Sequence, residues 1–177
     1  MSTAIALVSI VSTAAVAIIV TLLSSRAEAR RSRWQANFAR FDELRSVLDD
    51  AVIALGNAIY EMNGVFSMVE QELGEEEDRQ ELLKKLENHL TEVGRYKERI
   101  ALRLGRGASL SAAYGSAYET CWEAWNIFVE VIWQGAEFDP AKRQRVVGLT
   151  EKAAQEHSAF VEAASRIVGP DLSAVMG

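Results

Sequence analysis

The sequence has few of the residues that build disulfides, metal sites and nucleophilic centres. Among its 177 residues it has one cysteine and two histidines. A single cysteine excludes an intrachain disulfide. Di-iron bundles require a Glu-x-x-His motif, and neither histidine has a glutamate three positions before it. The His-Glu-x-x-His, Gly-x-x-x-x-Gly-Lys and Gly-x-Ser-x-Gly motifs are also absent. We therefore predict that the protein is not an enzyme and holds no cofactor.

Proline and strand-like patterns are equally scarce. The two prolines, Pro140 and Pro170, lie in the last quarter of the chain, and no run alternates apolar and polar residues over the length of a strand. Alanine, leucine, glutamate, arginine and valine dominate, and most of these favour helix. The composition predicts an all-α fold.

Charge is distributed unevenly along the chain. The net charge is −6, yet residues 26–40 contain five arginines against one acid, whereas residues from Ser46 onward contain 22 acidic and 13 basic residues. An acidic body argues against binding to nucleic acid, and no motif indicates a small-molecule ligand.

The N-terminal stretch 4–23 is 20 residues long and has no charge. As a helix it spans about 30 Å, the thickness of a bilayer core. In a secretory signal the basic residues precede the apolar run. Here they follow it. We predict a single-pass signal anchor at 1–25 in the cell membrane, with the N-terminus outside and the remainder in the cytoplasm. A cleaved leader and a buried hydrophobic helix are the alternatives.

After the anchor, apolar residues recur at spacings of four and three, the pattern of a coiled-coil or bundle seam. The first such stripe runs from residue 34 to residue 73 and continues through Gly56 and Gly64, which we interpret as close-packing positions or soft points of the helix and not as breaks. It consists of Trp34, Phe38, Phe41, Arg45, Leu48, Val52, Leu55, Ile59, Met62, Phe66, Val69 and Leu73.

Three shorter helices should follow, separated at Gly74, at the Gly105-Arg106-Gly107 turn and at Gly135, with the last one ending at Gly169. Asp139-Pro140 has the form of an N-cap followed by a first helical turn. Four helices joined by short turns predict an up-down-up-down four-helix bundle with a long first helix. The predicted regions are the anchor at 1–25, a basic juxtamembrane stalk at 26–43, the cytoplasmic bundle at 44–169 and a C-terminal tail at 170–177.

The stalk carries two predicted surfaces. Arg26, Arg30, Arg31 and Arg33 are expected to meet anionic lipid headgroups. The aromatic side chains of Trp34, Phe38 and Phe41 extend beyond the antiparallel neighbour, and we expect a partner to cover them. A second copy in a parallel coiled coil is favoured over the chain's own tail or the bilayer surface, because the spacing of 3.5 is unbroken.

The third helix is unusually apolar in its segment 121–133, where Trp122, Trp125 and Trp133 stand among mostly hydrophobic neighbours. Two interpretations stay open: these tryptophans belong to the core, or they form an interface for a protein partner.

His89, Cys121 and His157 fall at a similar height in the predicted bundle. Together they would provide ligands for zinc if their side chains converged. No motif spacing supports this set, and buried or surface histidines explain it more simply.

These features favour a bacterial, membrane-anchored scaffold or adaptor that acts through protein contacts. The alternatives are a sensor or enzyme that binds a small ligand or metal in the bundle core, and a membrane-active, holin-like toxin.

Overall fold

The computed structural model describes the backbone of residues 2–168 and the side chains of residues 24, 25, 28, 30–33 and 35–167. Within these residues the chain is helical, with short turns and no strand. The four helices are α1 (Ser2–Glu70), α2 (Glu76–Leu104), α3 (Ser109–Ile132) and α4 (Pro140–Val168). The all-α prediction is confirmed. The predicted tail at 170–177 lies outside the described residues.

The chain forms two compact units, Met1–Glu43 and Leu44–Gly177. Side chains of the predicted anchor at 4–23 lie outside the described set. Among described residues, the helical stretch 30–70 is long and apolar enough to cross a membrane, and half of its most apolar window is buried. Core helices of soluble proteins and signal sequences meet the same criterion, so the anchor remains a prediction.

The first stripe forms one wall of the core from Leu48 to Val69. Leu48 and Leu55 are fully buried, and the helix continues unbroken through both internal glycines. A Cβ at Gly56 would lie 3.8 Å from the His157 ring, and one at Gly64 would lie 3.5 Å from Leu82. The glycines therefore lie against neighbouring helices, as the unbroken register predicted.

Contacts between helices establish an antiparallel order around the bundle. In each neighbouring pair, residues further along one helix meet residues earlier on the other. The defining pairs are Glu61–Lys85 and Gly64–Leu82 between α1 and α2, Gly94–Tyr118 and Lys97–Gly115 between α2 and α3, Glu130–Lys142 and Thr120–Glu156 between α3 and α4, and Glu70–Arg143 and Val52–His157 between α4 and α1. The four helices pack around a core lined by five residues of α2, namely Leu83, Leu86, Leu90, Val93 and Ile100.

Helix starts agree with the sequence prediction. The carboxylate of Asp78 accepts a hydrogen bond from the Glu75 backbone N–H at 3.0 Å, which caps α2. Asp139 accepts one from the Lys142 backbone N–H at 2.8 Å, and Pro140 is the first residue of α4. Acidic residues fill the first turn of α2, where the helix dipole favours them.

Two helix ends were predicted wrongly. Helix α1 ends at Glu70, not at Gly74, because Leu73 N–H bonds back to Met68 and Glu72 takes a left-handed φ of 52°. This is a Schellman turn with glutamate where glycine is usual. Helix α3 ends at Ile132, not at Gly135, whose φ of 65° belongs to the following turn. Leu73, predicted in the seam, consequently lies beyond the end of α1 and is exposed.

Candidate functional site

Four aromatic side chains line one flank of α3 and form what we call the aromatic row: Tyr118, Trp122, Trp125 and Trp133. Their spacing places them on one side of the helix. Trp122 and Trp125 meet edge to face with ring centroids 4.7 Å apart. Tyr118–Trp122 and Trp125–Trp133 continue the same geometry, each at 6.1 Å. Such pairs stabilise aromatic clusters by about 0.5–1.5 kcal/mol beyond their buried area.

The core-facing side of α3 is made by other residues. Ala117, Cys121, Ala124 and Phe128 are fully buried. Trp122 and Trp125 pack against this core from the side and are half-buried, while Trp133 is 46% exposed. The row therefore lies at the edge of the core. The sequence had left open whether these tryptophans belong to the core or to an interface, and their partial burial is intermediate between the two.

The indole N–H groups of Trp122 and Trp125 are enclosed, and neither has a hydrogen-bond acceptor in the described part of the chain. A buried donor without an acceptor costs about 1–3 kcal/mol. Tryptophan usually directs its N–H toward an acceptor or water. The row therefore has two donors whose hydrogen-bonding capacity the chain itself does not use.

Two open grooves flank the row. The larger, between α2 and α3, has a volume of about 680 Å³ and is lined by Arg95, Lys97, Tyr118 and Trp122 among others. The second, about 500 Å³, lies across α3 and adds Glu119, Glu123 and Asn126 to the same aromatic residues. Tyr118 and Trp122 thus line both grooves, one of which is basic, while the two glutamates of the other are paired with Lys97 and Arg145.

Sequence analysis singled out the tryptophans but missed Tyr118, which contacts both Trp122 and the cation of Lys97. The Lys97 Nζ lies 4.8 Å from the centre of the Tyr118 ring and 3.1 Å from the Glu119 carboxylate. The spacing of four between Tyr118 and Trp122 was a usable signal in the sequence. The contact with Lys97 depends on how α2 lies against α3 and had no local signature.

The candidate metal ligands are not brought together. No three His, Cys, Asp or Glu side chains in the described part of the chain are placed to hold a metal. Cys121 is fully buried in the core, where burial raises the pKa of its thiol to about 12. His157 instead faces α1, with Nε2 3.2 Å from the Val52 carbonyl, and burial lowers its pKa. His89 lies half-buried on α2. The three side chains lie at a similar height in the bundle but do not converge, because they lie on different faces of their helices.

A polar contact that the sequence did not indicate joins α3 to α4. The hydroxyls of Ser116 and Thr120 donate to the two oxygens of Glu156, at 2.5 and 2.8 Å. Arg145 of α4 adds an ion pair with Glu123 of α3, in which Nε and one terminal nitrogen both donate to the same Glu123 oxygen, Oε1. No imidazole contacts the Glu156 group among its described hydrogen bonds, so we interpret it as an interhelical lock.

The predicted stalk residues are exposed wherever they are described. Arg30, Arg31 and Arg33 lie on the surface of α1, and Phe38 and Phe41 are 53% and 41% exposed. The side chains of Arg26 and Trp34 lie outside the described set.

Comparison of the chain with protein-family models, curated proteins and solved structures finds no match.

Proposed function

We propose that this protein is a single-pass, membrane-anchored scaffold or adaptor whose cytoplasmic bundle binds another protein through the aromatic row of α3. The observation that carries the proposal is the row itself: partly exposed tryptophans, two indole donors without acceptors among the described residues, and two adjoining open grooves. Tryptophan, tyrosine and arginine are the residues most enriched at the energetic centres of protein interfaces.

The anchor rests on the sequence. Twenty uncharged residues precede a group of arginines, and three of those arginines are exposed on a helix, where they are free to meet anionic headgroups. Full-length protein should remain in the membrane fraction through a high-salt wash. A cytoplasm-dependent reporter fused after Gly177 should be active. A mature N-terminus at Arg30, or activity only from a periplasmic reporter, would contradict the anchor or its orientation.

Protein binding is tested by photocrosslinking in the cells from which the chain comes. A benzophenone amino acid replaces Trp133, the most exposed member of the row, and in a control it replaces Gln155, an exposed residue of α4. We expect a discrete crosslinked protein from position 133 and none from position 155. Equal crosslinking from both positions, or none from 133, would reject the aromatic row as an interface.

Self-association through the stalk is part of the same proposal. The exposed Phe41 continues the register of the buried bundle stripe, and a shared membrane would align two such helices. In a Cys121→Ser background, Phe41→Cys should form disulfide-linked dimers in membranes. Ala39→Cys lies on the opposite side of the helix and should not. Equal dimer formation by both variants would indicate random collision.

A further inference from the structure

The groove between α2 and α3, which we call the basic groove, is a recess of about 680 Å³. Its α2 wall includes Thr91, Gly94, Arg95 and Arg99, and its α3 wall is formed by Tyr118 and Trp122. It is open along its length, in the manner of a surface for an extended or helical segment rather than an enclosed small-molecule cavity.

The positive charge of the basic groove is only partly neutralised. Lys97 is paired with Glu119 at 3.1 Å, and Glu98, the acid that lines the groove, is 3.8 Å from Arg106. Arg99 lies over the Tyr96 ring, 5.7 Å from its centre. Arg95 is exposed and has no ion pair with any side chain in the described range. Arg95 is therefore available to a carboxylate, and Arg99, four residues along the same helix face, contacts the uncharged Tyr96 side chain and keeps its charge.

The opposite wall of the basic groove is apolar and closely packed against α2. A Cβ at position 94 would lie 3.2 Å from the Tyr118 hydroxyl, so glycine there allows the ring to rest against the α2 backbone. Trp122 extends this surface, and its N–H lacks an acceptor within the described chain. An occupant thus meets charge on one side and aromatic rings on the other.

From these observations we infer that the basic groove binds an acidic segment of the partner protein, one that carries carboxylates for Arg95 and Arg99 and a large apolar side chain for Tyr118 and Trp122. The inference rests on the proposed adaptor function and specifies the chemistry of its partner. Charge complementarity supports it, since three basic residues and one acid line the groove, whereas the residues from Ser46 onward as a whole include 22 acids and 13 bases. Those surrounding acids disfavour a nucleic acid, whose charge is spread along a long backbone.

The experiment places the benzophenone amino acid at Thr91, an exposed residue that lines the basic groove, in the full-length protein in its own cells. The crosslinked segment is identified by mass spectrometry. We expect a segment of another protein in which acids outnumber bases. In an Arg95→Gln, Arg99→Gln variant the yield from Thr91 should fall about five- to tenfold, whereas Arg166→Gln on α4 should leave it unchanged. Raising the salt concentration from about 0.15 M to about 0.5 M during crosslinking of isolated membranes should also lower the crosslink yield from Thr91.

The outcomes separate the inference from the adaptor proposal. A crosslink from Trp133 with none from Thr91 overturns the basic groove but not the adaptor. The same holds for a crosslink from Thr91 whose yield is unchanged in the Arg95→Gln, Arg99→Gln variant. A basic segment, a lipid or a second copy of this chain at Thr91 also overturns it. Absence of crosslinks from both positions rejects both proposals. Retained crosslinking from Trp133 in the double variant shows that the bundle is still folded.

Discussion

Replacing Tyr114 by phenylalanine tests how the core of this bundle is held together. Tyr114 is fully buried on α3, and its ring lies 4.8 Å from that of Phe160 on α4. Its hydroxyl donates to the Ala51 carbonyl on α1 at 3.2 Å, so one side chain connects three helices. Ala51 lies inside α1, where its carbonyl also accepts an intrahelical bond. Removal of the hydroxyl therefore leaves no orphaned acceptor, and Tyr114→Phe should lower the free energy of unfolding by about 1 kcal/mol at neutral pH.

The same substitution should change how stability depends on pH. Burial raises the pKa of the Tyr114 hydroxyl well above its ordinary value of 10.0. Above that value the unfolded chain releases a proton that the folded chain retains. The contribution is thus intact below pH 10 and is lost as the pH rises, by up to about 1.4 kcal/mol per pH unit. Phenylalanine has no such proton, so the variant should overtake the natural protein near pH 11.

Urea unfolding of full-length protein in a mild detergent, followed by circular dichroism from pH 7 to pH 11, measures both effects. Tyr114→Ala is the reference for lost packing and should cost about 3–5 kcal/mol. Parallel stability curves for the natural protein and Tyr114→Phe across this range would show that the phenol is not buried as described.

Further predictions concern a turn, the thiol and an ion pair. Glu72→Gly should stabilise the bundle by about 1 kcal/mol and raise Tm by about 2–4 °C, because glycine accepts the φ of 52° without strain; an unchanged Tm would contradict that turn. Cys121 should resist a thiol reagent at pH 8 in the folded protein and react fully in urea, since it is buried with a pKa raised to about 12; rapid labelling of folded protein would place it at the surface. Lys85→Met should destabilise the bundle more than Lys84→Met, since Lys85 pairs at 2.6 Å with Glu61, which is 6% exposed, and its loss strands a buried carboxylate; equal effects would refute this pairing.

Much of the helical fold was accessible from local patterns. The buried part of the α1 stripe was predicted from its spacing, because a period near 3.6 keeps apolar residues on one face of a helix whatever that face packs against. The start of α4 at Asp139-Pro140 was also predicted, since a helix cap is a contact between residues three positions apart. The end of α1 was not predicted, because the sequence favoured Gly74 as the left-handed residue of the turn, whereas Glu72 takes that conformation four residues after Met68.

The candidate site was predicted only in outline. Trp122, Trp125 and Trp133 were identified as unusual, but whether they were core or surface depended on which side of α3 faced its neighbours. Ala117, Cys121 and Ala124 share the core-facing side of α3 with the buried rings of Tyr114 and Phe128, so the tryptophan rings lie at the flank. Hydropathy alone does not rank apolar residues by the space available to them.

The sequence by itself determined the helical class, the number of helices and the contrast between an uncharged N-terminal stretch and an acidic body, because each is a property of neighbouring residues. The tertiary structure decided which side chains meet across helices. It joined Tyr118 to Lys97, and Ser116 and Thr120 to Glu156, and it kept His89, Cys121 and His157 from forming one cluster. Such contacts depend on the rotation and height of each helix against the next, which are set by packing over the whole core and by no single segment.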